Sequence, residues 1–147
     1  MEQQPSVSFA GPFVSIQRVY WDQLDLLGVL HNSAYLLLFE RARTEFWRSL
    51  GISGYGDEKL DWPYLVARNE VNYRSPITSE QDVRVGVWVA KLGGSSITFG
   101  HDVRCEDGTL AADGSTVIVR IDAQTQRPVR WSPGFRGMVA RFLKPSV

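Results

Sequence analysis

From residue 65 to residue 123 the hydrophobic period of the chain is two, and no helical pattern interrupts it. LVARNEVNYRSP (65–76) reads as a strand ended by Pro76. QDVRVGVWVAKLG (81–93) alternates through Val83, Val85, Val87 and Val89. SSITFGHDVRCEDG (95–108) and TLAADGSTVIVRIDA (109–123) read as two more strands. Glu106-Asp107-Gly108 joins that pair as a hairpin, and Gly93-Gly94 is another turn. Strands in direct succession leave no helix for parallel crossovers. A doubly wound parallel sheet is therefore disfavoured.

Two segments precede this run. PFVSIQRVY (12–20) alternates, with Phe13, Ser15, Gln17 and Val19 on one side and Val14, Ile16, Arg18 and Tyr20 on the other; it reads as a strand. Residues 33–50 switch to helical spacing: Leu36, Phe39, Ala42 or Arg43, Phe46 and Leu50 recur at steps of three and four. Asn32 or Ser33 fits the N-cap and Gly51 the position just past the C-terminus. At about 1.5 Å per residue the helix is roughly 27 Å long. Leu37 and Leu38 widen its apolar face, so it is expected to be largely enclosed. The expected class is α+β, a long central helix wrapped by a curved antiparallel sheet of about five strands. PGFRGMVARFLKP adds a short C-terminal helix. Residues 1–11 read as a flexible arm and 12–147 as one domain, with no repeat or linker.

Composition narrows the function. Sixteen Lys plus Arg balance sixteen Asp plus Glu, so no global field favours nucleic acid or an anionic membrane. Cys105 is the only cysteine, which rules out an intrachain disulfide and a Cys-based metal site with normal ligand spacing. Two isolated histidines make a metal site improbable. The first residues have no basic stretch followed by an apolar run, and no apolar run approaches the ~20 residues of a membrane span. A cytoplasmic protein is expected.

The chemistry concentrates in DQLDLLGVLHNSAY (22–35), just ahead of the helix. A helix N-terminus carries unpaired N–H groups and partial positive charge, a suitable place to hold a developing oxyanion. An aspartate a few residues upstream can approach the same point. Taken alone, Asp22 and Asp25 are also well-formed turn residues and nothing more.

The longer pattern DxxDxxGVxxNxxYxxxFExARxEFxxxLG, together with NEVNYRSPITSEQDVRVGVWVAKLGGSSITFGHDV (69–103), resembles the hotdog-fold acyl-CoA thioesterases of the 4-hydroxybenzoyl-CoA thioesterase-like group. The resemblance implies a hotdog fold and hydrolysis of an acyl-CoA thioester to an acid and CoA. By it, Asp25, three residues before Gly28, is the catalytic acid, acting as nucleophile or general base. The Asn32 backbone N–H is the implied oxyanion donor. The resemblance further implies no metal and no cofactor beyond CoA as part of the substrate. It also implies a homodimer or homotetramer with the site between subunits. Acyl carrier protein in place of CoA, or a non-catalytic acyl-thioester binder, are the alternatives. A binder has no need of a carboxylate beside the carbonyl oxygen, so Asp25 favours the enzyme.

His31 stands where relatives carry a tyrosine or asparagine; it either helps the chemistry or caps the helix. Gly28, Ser33, Tyr35, Arg68 and Arg74 are candidate substrate contacts, the arginines for CoA phosphates, with Lys91 and Arg104 weaker. Glu40 is a second carboxylate candidate, since another hotdog branch places its acid on the helix. Charges of the ERAR segment are more commonly solvated or subunit-facing ion pairs. Tyr35, Phe39 and Phe46 are core or acyl-tunnel residues, and Trp62 and Tyr64 are weak candidates to flank the acyl group. His101 is read as structural.

Overall fold

A computed structural model describes residues 11–145. The expected N-terminal arm lies almost wholly outside the described residues. Five strands form one antiparallel sheet: β1 (Phe13–Val19), β2 (Tyr64–Tyr73), β3 (Gln81–Leu92), β4 (Ser96–Arg104) and β5 (Leu110–Arg120). Their spatial order is β1-β3-β4-β5-β2. Helix α1 (Ala34–Ser49) connects the two edge strands and α2 (Pro133–Ala140) follows β5. No helix among the described residues is long and apolar enough to cross a membrane.

The strand expectations hold except at their ends. β2 stops at Tyr73 instead of running to Pro76. There the Arg74 and Ser75 N–H groups both donate to the Ala111 carbonyl, at 2.8 and 3.0 Å, which turns the chain out of the ladder. Gly93 N–H bonds the Ser96 carbonyl at 2.8 Å to close the β3–β4 hairpin.

α1 has 16 residues, fewer than expected, and is about 24 Å long. Gly51 follows it with its N–H on the Arg48 carbonyl. The helix buries Tyr35, Leu38, Phe39, Ala42, Phe46 and Trp47. Leu36 and Leu37 each remain 41% exposed. The expected enclosure therefore fails: one sheet layer covers one side of the helix, and among the described residues nothing covers Leu36 and Leu37 on the other.

On the sheet, Val83, Val85, Val87 and Val89 are fully buried. β1 joins them with its more polar side inward. Ser15 pairs with Val85 and Gln17 with Val83, while Val14 and Ile16 face out. Register compels this, since directly opposed residues share a face. Gln17 then ties the layers together, its Nε2 donating to the Leu38 carbonyl of α1 at 2.9 Å.

β2 and β5 approach closely at Gly114. A Cβ there would strike the Glu70 carbonyl oxygen and lie 3.2 Å from the Phe39 ring. Gly114→Ala is accordingly expected to cost about 1–3 kcal/mol, read as a lower urea midpoint with unchanged slope.

The turn-rich segment 51–63 is held by Asp61. Its carboxylate accepts from the Ser132 N–H (2.6 Å) and hydroxyl (2.9 Å) and pairs with Arg120 at 3.4 Å.

Candidate active site

The LDLLGVLH sequence folds into a tight loop because Asp25 organises it. Its backbone N–H donates to the Val29 carbonyl (2.8 Å), and its carbonyl accepts from Gly28 N–H (2.9 Å). Its side-chain Oδ1 accepts from the N–H groups of Leu27 (2.9 Å) and Val29 (3.3 Å). Gly28 sits at φ +75°, where a side chain would be strained. The turn-forming role of Asp25 is thus real. It occupies only Oδ1; Oδ2 has no hydrogen-bond partner among the described residues.

This loop, the start of α1 and the end of β2 enclose a cleft of about 430 Å³. Asp25, His31, Asn32, Tyr35, Tyr73 and Arg74 line it. Asp25 is half-buried and the Tyr35 ring is buried. Burial pushes the Tyr35 hydroxyl up to about 12, with Cys105 and Tyr73 adding to the effect, so it stays protonated and able to donate.

Ser33 occupies the N-cap position of α1, but its side chain does not cap the helix. The His31 ring takes over part of that role. Its Nδ1 accepts the Ser33 N–H at 3.1 Å and lies 2.7 Å from Ser33 Oγ. The short serine side chain is drawn back to the ring instead of forward to the helix. An Nδ1 that accepts leaves the proton of the neutral ring on Nε2. The Asn32 N–H has no acceptor among the described residues, while the Asn32 carbonyl accepts from the Tyr73 hydroxyl at 3.1 Å.

The other candidates fall elsewhere. Gly28 and Ser33 shape the loop without lining the cleft. Arg74 does line it, held bidentate on Asp113 at 3.1 and 3.2 Å. That pair, with Asn72, keeps the Asp113 carboxyl below the usual range. Arg68 stands outside the cleft, exposed on β2 and paired with Glu70 at 3.3 Å. Arg104 lies 3.5 Å from Asp102, also away from it. Glu40 is exposed on α1 and does not line the cleft. Phe39 and Phe46 belong to the core. Trp62 packs against Tyr55 (4.5 Å between centroids, rings tilted by 34°) at the opposite end of β2, with Tyr64 beside it. Among the described residues no cluster of three potential metal ligands occurs.

One feature is invisible to periodicity. Arg43 turns inward from α1 and is buried. It donates to Thr116 Oγ1 (2.9 Å) and meets His101 Nε2 at 3.2 Å. Thr116 in turn donates to Asn69 at 2.8 Å. His101, stacked 4.4 Å from Phe39, bonds the Gly86 carbonyl through Nδ1 at 3.1 Å. Burial and the neighbouring guanidinium drive its pKa down to about 3, so it is neutral at ordinary pH. The ERAR charges are thus not all solvated ion pairs.

Comparison with known proteins shows the family to which the chain belongs. The sequence profile of the thioesterase-like superfamily matches residues 19–139. The acyl-CoA thioesterase YbgC of Haemophilus influenzae is 30% identical over 114 residues, covering 76% of this chain and 82% of its own. The DHNA-CoA thioesterase structure from Staphylococcus aureus superposes with a TM-score of 0.79 at 26% identity, over 88% of this chain and 89% of its own. Another Staphylococcus aureus protein, solved in complex with CoA, superposes at 0.81 with 20% identity, over 95% and 90%. The five-stranded antiparallel sheet with few helices is that of the hotdog thioesterases. The chain belongs to the thioesterase-like superfamily and is a thioester hydrolase.

Proposed function

We propose that this enzyme hydrolyses an acyl-CoA thioester in the cleft at the N-terminus of α1. One observation carries the reading: the unpartnered Oδ2 of Asp25 shares the cleft with the free N–H of Asn32 and the positive end of the helix. The thioester oxygen accepts from the Asn32 N–H as negative charge develops on it. Asp25 Oδ2 then either removes a proton from the attacking water or attacks the carbonyl carbon itself. The base route gives the acid directly; the nucleophile route gives an acyl-aspartate that water opens. In both, the C–S bond breaks and CoA leaves as the thiolate, which takes up a proton. Leu27 and Val29 aim the carboxylate by holding Oδ1.

Tyr35 and His31 Nε2 are donors for the thioester or the water. Arg74 at the cleft mouth, and Arg68 further along β2, are the cations for CoA phosphates. Gly28 and Ser33 serve by shaping the loop. The acyl-CoA relatives and the CoA-bound structural neighbour support this substrate class.

The reading takes the enzyme as a homodimer or homotetramer. β2 is a ten-residue edge strand whose Leu65 and Val66 are about half exposed, an edge suited to pairing with a second copy. Antiparallel pairing about a two-fold axis brings the Trp62 and Tyr64 end of one β2 toward the Tyr73 cleft of the other. The second copy would also cover Leu36 and Leu37 and make α1 a central helix. The cytoplasm suits a chain with a single thiol.

The test is a panel of acyl-CoA esters, from short aliphatic through long-chain to aryl. Thiol release is followed on protein whose mass is fixed by sedimentation. Turnover of some member by a dimer or larger assembly is expected. No turnover on any member would overturn the reading.

A further inference from the structure

Resting on that reading, we infer that Tyr73 is a positioning residue for the oxyanion contact. Its hydroxyl donates to the Asn32 carbonyl across the cleft at 3.1 Å. The segment that must present the Asn32 N–H is a loop with few external ties. Leu30 N–H reaches the Ile77 carbonyl (2.8 Å) and His31 N–H the Gln23 carbonyl (3.1 Å), both before Asn32. Ala34 N–H bonds the His31 carbonyl, within the segment itself, and the His31–Ser33 contacts are equally local. Among the described residues, Tyr73 supplies the hydrogen bond that ties Asn32 to the sheet.

Tyr73 is well placed to act as a post. It is the last residue of β2, in register with Ala112 of β5. Directly after it, two N–H groups converge on the Ala111 carbonyl, and Arg74 grips Asp113. The Tyr35 ring meets the Tyr73 ring edge-on at 5.1 Å and 82°, which restricts the swing of the phenol. A donor held on a strand end thus fixes the carbonyl of residue 32. The peptide on its other side carries the N–H that receives the oxyanion. Small misplacement of such a donor costs rate with little effect on ground-state binding.

Tyr73→Phe keeps the ring and its edge contact and removes only the hydroxyl. The expected result is a kcat about ten-fold lower, the loss of one hydrogen bond's worth of order, with KM within about two-fold. The melting temperature should stay essentially unchanged. Amide exchange by NMR should quicken at His31 and Ser33, whose N–H groups are bonded, and remain as in wild type in β3 and β4. Unchanged kcat, unchanged exchange at His31 and Ser33, or a general loss of stability in the variant would each overturn the inference. Failure of wild type on the whole acyl-CoA panel is a separate outcome. It would sink the proposed function, while the exchange experiment would still decide whether Tyr73 tethers the loop.

Discussion

Asp25→Asn should lower acyl-CoA turnover by about 10²–10⁴-fold while leaving fold and assembly intact. The substitution separates two roles that this residue carries at once. As a turn former, Asp25 uses Oδ1 to accept from Leu27 and Val29. An asparagine carbonyl occupies the same place and accepts the same bonds, so the loop keeps its shape. As a catalyst, Asp25 uses the charge and the unpartnered Oδ2, and the amide has neither the basicity nor the nucleophilicity to replace them. Near-wild-type turnover in Asp25→Asn would leave the turn role as its only one. Glu40→Gln is the matched control. Glu40 is exposed and outside the cleft, so its loss should leave the rate nearly unchanged. A dead Glu40→Gln beside an active Asp25→Asn would move the chemistry to the helix.

Acid should destabilise the protein through His101 over a window that its pKa defines. In the folded state the ring stays neutral down to about pH 3, and in the unfolded state it protonates near the ordinary value of 6.5. Between those values the unfolded chain binds the extra proton, so stability falls as pH falls. The slope from this residue is about 1.4 kcal/mol per pH unit. His101→Gln preserves an acceptor toward Arg43 and a donor toward Gly86 without titrating. Urea unfolding at pH 7 and pH 4.5 should show wild type losing about 2–3 kcal/mol more than the variant. Carboxylates held below their usual range, such as Asp113 and Asp57, lose stability to acid in both proteins and cancel in that difference. Equal losses would mean that the ring accepts a proton in place, and that the Arg43 guanidinium tolerates a second cation beside it.

The strands were legible because the four inward valines of β3 and their counterparts in β4 announce a period of two. The helix was legible because its buried residues repeat at three and four. The segment at 22–35 stood out as a candidate site because its residue types match a chemical need and a family pattern. Polar residues that turned inward were not legible in this way. β1 carries Ser15 and Gln17 on its buried side although Val14 and Ile16 are the apolar alternative. A short alternating strand has two faces, and the pairing to Val83 and Val85 chooses between them. Arg43 occupies a position in the helical repeat that Ala42 could equally fill. Only the presence of His101 and Thr116 on the facing strands makes its burial tolerable.

The same division runs through the site. Local sequence determined that a loop bent by Asp25 and Gly28 would lie immediately before a helix, because turn chemistry and helix capping act over a few residues. It also determined the sheet's antiparallel character, through strands that follow one another without a crossover helix. Tertiary structure alone brought Tyr73 and Arg74 to that loop from about forty residues away in sequence, and set Arg68, Glu40 and Trp62 outside the cleft. Such meetings depend on strand order and register. Those are decided by how whole faces bury against each other, and no local stretch of sequence carries that information.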